Sequence, residues 1–208
     1  MPEIIDVEPI ERKHGDPEPI DLEPIDLEPI RPAGYRRRPS WDFLYAHPAH
    51  AVGLGFGSGL SWIAPGTIGT LWAWLAFALL SPHMTDPAWA WLIGLSLPVG
   101  WWACSVCAKH LNQPDPSNVV WDEIVAFWLV LWLVTPASFS QQFWAFVLFR
   151  YFDAAKPGPV GWADRLFHGI NPDTDRRAWF KAGLGIMLDD LVAAGCTLLV
   201  IAIWHFKL

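Results

Sequence analysis

The 208-residue chain is poor in charge: 17% of its residues are Asp, Glu, Lys or Arg, against 53% that are hydrophobic. Soluble domains carry roughly a quarter of their residues as charges. An ordinary water-soluble enzyme is therefore excluded, and a membrane-embedded protein is expected. Between residues 43 and 85 there is not one Asp, Glu, Lys or Arg. Cysteine is also scarce, at three residues. Cys104 and Cys107 form a lone CxxC without a second pair, so the expectation is small packing residues rather than a zinc or redox centre. No apolar stretch opens the chain, which predicts no signal peptide and an N-terminus that stays in the cytoplasm. The glycine-rich segment lacks the Gly-Lys-Ser/Thr ending of a P-loop, which argues against nucleotide hydrolysis. Internal repeats of the kind that build transporters are missing, and so is the spaced-aspartate motif of CDP-alcohol phosphotransferases.

Aromatic residues are abundant, with 15 Trp and 12 Phe, and indole rings collect at bilayer interfaces. The formal net charge of −7 owes much to the first thirty residues. There, residues 18–30 read EPIDLEPIDLEPI, a five-residue repeat. A proline every fifth position forbids a continuous helix and the charge opposes collapse, so residues 1–40 are expected to form a disordered tail. Arg31, Arg36, Arg37 and Arg38 end that tail just before Trp41. Beside a membrane they read as an anchor to anionic lipid, not as a nucleic-acid surface.

Residues 41–208 are expected to form one all-α membrane-embedded domain of about five helices. The Gly53–Gly69 stretch is too rich in Gly, Ser and Pro for a straight helix and predicts a re-entrant loop feeding a short helix at Ile68–Leu80. Further helices are expected at Pro87–Ala108, Asn118–Val134, Phe139–Ala155 and Gly183–Phe206. With the tail inside, thirteen of the 14 Lys and Arg residues fall on the inner side and only Lys207 outside. This asymmetry predicts a cytoplasmic site-bearing face.

The same topology gathers acids. Asp122 and Glu123 open one helix at the inner side, Asp153 closes the next, and Asp189 and Asp190 lie roughly 10 Å into the last at 1.5 Å per residue. For Asp122 and Glu123 alone, the preference of carboxylates for helix N-termini and a role in a site explain the pair equally well. That preference does not explain Asp189 and Asp190, because apolar residues flank them in GIMLDDLVAAG. A charge at mid-membrane costs about 2.5–3.5 kcal/mol, so a cluster needs compensation. A hard divalent cation with oxygen ligands supplies it, and magnesium suits best. Arg150, Asp153 and Lys156 are spaced three apart and share a helical face. With Asp164 and Arg165 beyond the next turn, they offer bases to a phosphate. Gly57, Ser58, Gly59, Gly66 and Thr67 offer a loop whose backbone could approach an anion. Asp173 and Asp175 are expected to be surface residues, and the lone His168, of a type able to shuttle a proton, is expected to be a bystander.

The blocks GFGSGLSWIAPGTIGT (55–70), VVWDEIVAFW (119–128), FRYFDAAKPGPVGWADR (149–165) and GIMLDDLVAAG (185–195) together resemble the phosphatidylglycerophosphatase A family. The resemblance implies a bacterial inner-membrane, multi-pass, Mg2+-dependent enzyme. Such an enzyme hydrolyses phosphatidylglycerophosphate to phosphatidylglycerol and phosphate. It further implies metal-ligand or base roles for Asp122, Glu123, Asp153, Asp189 and Asp190, with Asp164 in second rank, and phosphate binding by Arg150, Lys156 and Arg165. Two features depart from the family pattern: the repeat-bearing tail and about a dozen polar residues near 170–182.

Overall fold

Runs of apolar residues broken by proline dictate a sequence of helices. The computed structural model describes residues 38–167, 175 and 177–207, and among these the regular structure is entirely helical. The tail's repeat, His168 and most of the 170–176 stretch lie outside the described residues. Two short helices, α1 (Trp41–Ala46) and α2 (Pro48–Gly53), precede a 3-10 segment at Gly55–Leu60. Then come α3 (Pro65–Leu80), α4 (Asp86–Leu111), α5 (Trp121–Val134), α6 (Phe139–Ala155), α7 (Pro159–Leu166) and α8 (Ala178–Lys207). Proline stands in the first turn of α2, α3, α4 and α7, where its missing N–H is no loss and its fixed φ suits a helix start.

The expected order of long helices is present, but their lengths differ from the expectation. Two helices, Asp86–Leu111 and Ala178–His205, are long and apolar enough to cross a membrane. With 16, 14 and 17 residues, α3, α5 and α6 fall short of the roughly 20 needed to span. Helix α5 begins at Trp121, not Asn118, because Asn118 Nδ2 is engaged with the Gly59 carbonyl at 2.6 Å. Helix α8 begins five residues before Gly183, because Trp101 Nε1 donates to the Phe180 carbonyl at 2.8 Å and draws that turn onto α4. The glycine stretch is also more ordered than a plain loop. Its 3-10 segment turns through positive φ at Phe56 (54°) and Gly57 (107°), and α3 already starts at Pro65.

Helix α5 is the centre of the packing and touches α2, α3, α4, α6 and α8. Ile124, Val125, Ala126, Phe127, Val130 and Leu131 are fully buried along it. Indoles find partners as buried polar handles must: Trp128 Nε1 donates to the Ala73 carbonyl (2.9 Å) and Trp121 Nε1 to the Ser96 carbonyl (3.2 Å). Cys104 and Cys107 are buried free thiols, with Cys107 Sγ 3.5 Å from the Ala49 carbonyl. Helix α2 is held to α4 by histidines that sequence reading passed over. His50 Nδ1 lies 2.7 Å from the Phe43 carbonyl, so it carries the hydrogen, and Nε2 then accepts from His110 Nδ1 at 2.7 Å. The His50 ring stacks on Phe43 with centroids 3.8 Å apart.

Candidate active site

Four chain segments meet around one cavity of about 290 Å³. The first turn of α3 supplies Pro65 and Gly66, the α4–α5 connection supplies Asp115 and Ser117, and the start of α5 supplies Asp122 and Glu123. The end of α6 contributes Arg150, Asp153 and Lys156, and α8 contributes Asp189 and Asp190. Six carboxylates thus face two cations.

The spacing read from the sequence explains the cation geometry. Arg150 and Asp153 lie one helical turn apart, and Arg150 Nη1 donates to Asp153 Oδ2 at 2.5 Å and to Glu123 Oε1 at 3.0 Å. The same nitrogen is 3.4 Å from Thr70 Oγ1, whose hydroxyl donates to the Gly66 carbonyl at 2.9 Å. Lys156 ends α6 in the left-handed region at φ 44°, an unusual place for a residue with a Cβ. That turn leaves Nζ 2.5 Å from Asp164 Oδ1 and 2.6 Å from Asp189 Oδ2. Burial alone would lower the lysine's pKa, but the hydrogen bonds to Asp164 and Asp189 outweigh it and hold the ammonium above its ordinary range.

Glycine matters at one position. A Cβ on Gly66 would lie 1.9 Å from Glu123 Oε1, so only glycine lets the first turn of α3 close over that carboxylate. There the helix dipole favours negative charge.

The acids are incompletely satisfied. Asp122 Oδ1, Glu123 Oε2 and Asp190 Oδ2 are buried and lack a hydrogen-bond partner among the described residues. Such groups are rare in native structures and call for a ligand. One carboxylate oxygen from each of Glu123, Asp153 and Asp190 lies within 4.8 Å of the other two. An all-oxygen donor set with orphaned, like-charged members fits a hard divalent cation.

The other sequence candidates stand elsewhere. Asp164 does not line the cavity and ion-pairs with Lys156, which does. Arg165 is exposed on α7 and does not line the cavity. Gly57, Ser58, Gly59 and Thr67 do not line it either. Gly57 turns the chain beneath Trp41, Ser58 Oγ donates to the Gly55 carbonyl (2.9 Å), and Gly59 is packed so closely that a Cβ would sit 2.1 Å from the Asn118 carbonyl oxygen. That loop is built to pack, and of the five loop positions expected at the phosphate only Gly66 lines the cavity. Sequence reading missed Asp115, Ser117 and Thr70. The signal for Asp115 was available, since it precedes Asp122 by seven residues on the connection that enters the site. Asp175 ion-pairs with Lys181 at 2.6 Å, in keeping with a surface role.

An acid-rich pocket with an arginine and a lysine at the end of α6 defines the class: an all-helical protein with a buried cavity of mixed charge. The chain belongs to the phosphatidylglycerophosphatase A family, whose model matches residues 51–205. It is 34% identical to phosphatidylglycerophosphatase A of Escherichia coli over 148 residues, covering 71% of this chain and 78% of that protein. Identity to phosphatidylglycerophosphatase A of Haemophilus influenzae is 30% over 155 residues, covering 74% and 87%. A Bacteroides thetaiotaomicron protein that carries a provisional phosphatidylinositol-3-phosphatase name is 37% identical over 161 residues, covering 73% and 90%. No solved structure matches the chain.

Proposed function

We propose that this chain removes the terminal phosphate of phosphatidylglycerophosphate, releasing phosphatidylglycerol and inorganic phosphate. The observation that carries this reading is the cavity in which Arg150 and Lys156 stand among six carboxylates, three of whose oxygens have no partner. Family membership and the names of the Escherichia coli and Haemophilus influenzae relatives support the substrate.

Glu123, Asp153 and Asp190 are the residues that would hold Mg2+, with Asp122 and Asp189 beside them. When bound, the ion supplies positive charge that offsets the phosphate oxygens and makes phosphorus more electrophilic. Arg150 then turns donors from Glu123 and Asp153 toward the phosphate oxygens, where paired N–H bonds fix its orientation. Lys156 Nζ, further along the same helix, adds a point charge. Water attacks phosphorus in line, a bond to that oxygen forms, and the bond to the glycerol oxygen breaks. A buried carboxylate oxygen without a donor, Asp122 Oδ1, accepts the proton released by the water. The departing glycerol oxygen takes up a proton from solvent to leave as an alcohol, and Asp122 returns its proton to solvent, so the protein ends the cycle as it began.

The reading extends to placement. The chain is a multi-pass protein of the bacterial inner membrane, with α3, α5 and α6 partly embedded and the segment before α3 re-entrant. Its cavity faces the cytoplasm, in line with the clustering of Lys and Arg at that end. Phosphate release from phosphatidylglycerophosphate by the purified protein, with Mg2+ and then with chelator, tests both substrate and ion. Release only with Mg2+ supports the reading; undiminished turnover in chelator refutes the ion, and silence on this lipid refutes the substrate. An acid-stable phosphoenzyme would replace water attack by a covalent aspartyl-phosphate route. The Bacteroides thetaiotaomicron relative favours a second reading, a monoester on an inositol headgroup, which the same assay run on phosphatidylinositol 3-phosphate separates.

A further inference from the structure

The carboxylate cavity has a neighbour. A second hollow of about 190 Å³ is lined by Arg38, Leu60, Ser61, Trp62 and Asn118, and it shares Pro65 and Ser117 with the first. The shared residues form a partition between the two spaces. Arg38 is the charged residue in the lining, and among the described residues no carboxylate forms an ion pair with it. Its guanidinium instead lies over the Trp62 ring, 5.3 Å from the centroid, an arrangement that restrains the side chain while leaving its N–H edge open to an acceptor. Asn118 is tied down by its bond to the Gly59 carbonyl, so this wall is firm. Beyond the hollow, Trp62 and Ile63 are 84% and 82% exposed and form an apolar lip.

The order of these features matches the order of groups in the substrate of the proposed reaction. Phosphatidylglycerophosphate presents, in series, a phosphomonoester, a three-carbon glycerol, a phosphodiester and two acyl chains. The protein presents, in series, the carboxylate and Arg150 cavity, the Pro65–Ser117 partition, the Arg38 hollow and the Trp62–Ile63 lip. We infer that Arg38 binds the phosphodiester of the lipid headgroup while the monoester occupies the neighbouring cavity, which makes Arg38 a determinant of substrate specificity. The inference rests on the proposed reaction and adds to it a second phosphate subsite. An arginine suits a diester, because its fork of donors meets two non-bridging oxygens at once. It also explains how the enzyme recognises a doubly phosphorylated headgroup: a plain phosphomonoester leaves Arg38 without a partner.

The rival role for Arg38 is general attraction to an anionic membrane surface, and the test separates the two. Arg38→Gln and Arg38→Lys are compared with the wild type in neutral detergent micelles. Three quantities are read: KM and kcat for phosphatidylglycerophosphate, inhibition by glycerophosphoglycerol, and inhibition by inorganic phosphate. Glycerophosphoglycerol is the deacylated product headgroup, a soluble diester without chains. Arg38→Gln should raise KM about tenfold or more, as expected for loss of a charged hydrogen bond, with kcat little changed. Inhibition by glycerophosphoglycerol should weaken by a similar factor while the phosphate constant stays put, and Arg38→Lys should recover part of the loss. A KM that rises while glycerophosphoglycerol inhibits as before means a surface anchor and overturns the inference. Equal weakening of both inhibitors, or of neither, overturns it as well. Failure of the wild type to release phosphate from the lipid would instead defeat the proposed reaction and remove the basis for the subsite.

Discussion

The histidine cluster between α2 and α4, where only His50 is fully buried, and the carboxylate cavity lined by the first turns of α3 and α5, the end of α6 and the middle of α8 both bring polar groups into the fold. They solve burial in opposite ways. At the histidines every ring nitrogen of His50 has a partner, in the Phe43 carbonyl and His110 Nδ1, and His47 Nδ1 accepts from the Ala49 N–H at 3.1 Å. At the acids three carboxylate oxygens have none. A satisfied polar cluster is complete as folded protein and serves to join two helices. An unsatisfied cluster of one sign is complete only with something else bound, and evolution retains that instability where a ligand repays it.

The comparison can be broken at four points. Asp190→Asn should lower phosphate release on the order of a hundredfold to a thousandfold, the range for removing one group that stabilises transition-state charge. Thermal unfolding should show the variant as stable as the wild type or more so, since a like charge has left the cluster. Near-normal turnover would remove Asp190 from the site. Gly66→Ala should cost up to about a hundredfold in turnover, because the new methyl displaces Glu123 by an ångström or more. If activity survives, α3 does not fix that carboxylate. Mg2+ should stabilise the folded protein by about 2.7 kcal/mol at a hundred times its dissociation constant. The gain, measured as a shift in unfolding temperature, should vanish in Asp190→Asn. An equal shift in both proteins would place the ion elsewhere. His50→Ala should destabilise by about 1–3 kcal/mol, the cost of removing a buried ring together with its two hydrogen bonds and its stacking on Phe43, while kcat per folded molecule is unchanged. A selective loss of kcat would show that the histidines belong to the catalytic apparatus after all.

Much of this was legible in the chain. Asp189 and Asp190 stand out because nothing apolar around them explains two adjacent acids, and the three-residue spacing of Arg150, Asp153 and Lys156 survives into the structure as one face. Helix α6 was readable to the residue, since Ser138 and Gln141 form a capping box at its start and the sequence after Lys156 bars its continuation with proline. The glycine loop misled because glycine serves close packing as well as anion binding, and sequence does not say which atoms approach. Gly59 meets a carbonyl, and only Gly66 meets a carboxylate. Helix spans misled for a related reason: hydropathy marks where a helix is apolar, but the start of α5 is set by Asn118 reaching across to Gly59. The histidines escaped notice because His50 and His110 are sixty residues apart and neither forms part of a local pattern.

Lys156 closes α6 in a left-handed turn and grips one acid on α7 and another on α8. That one ammonium therefore ties three helices together: with the last helix undocked it would keep its partner on α7 and lose the one on α8.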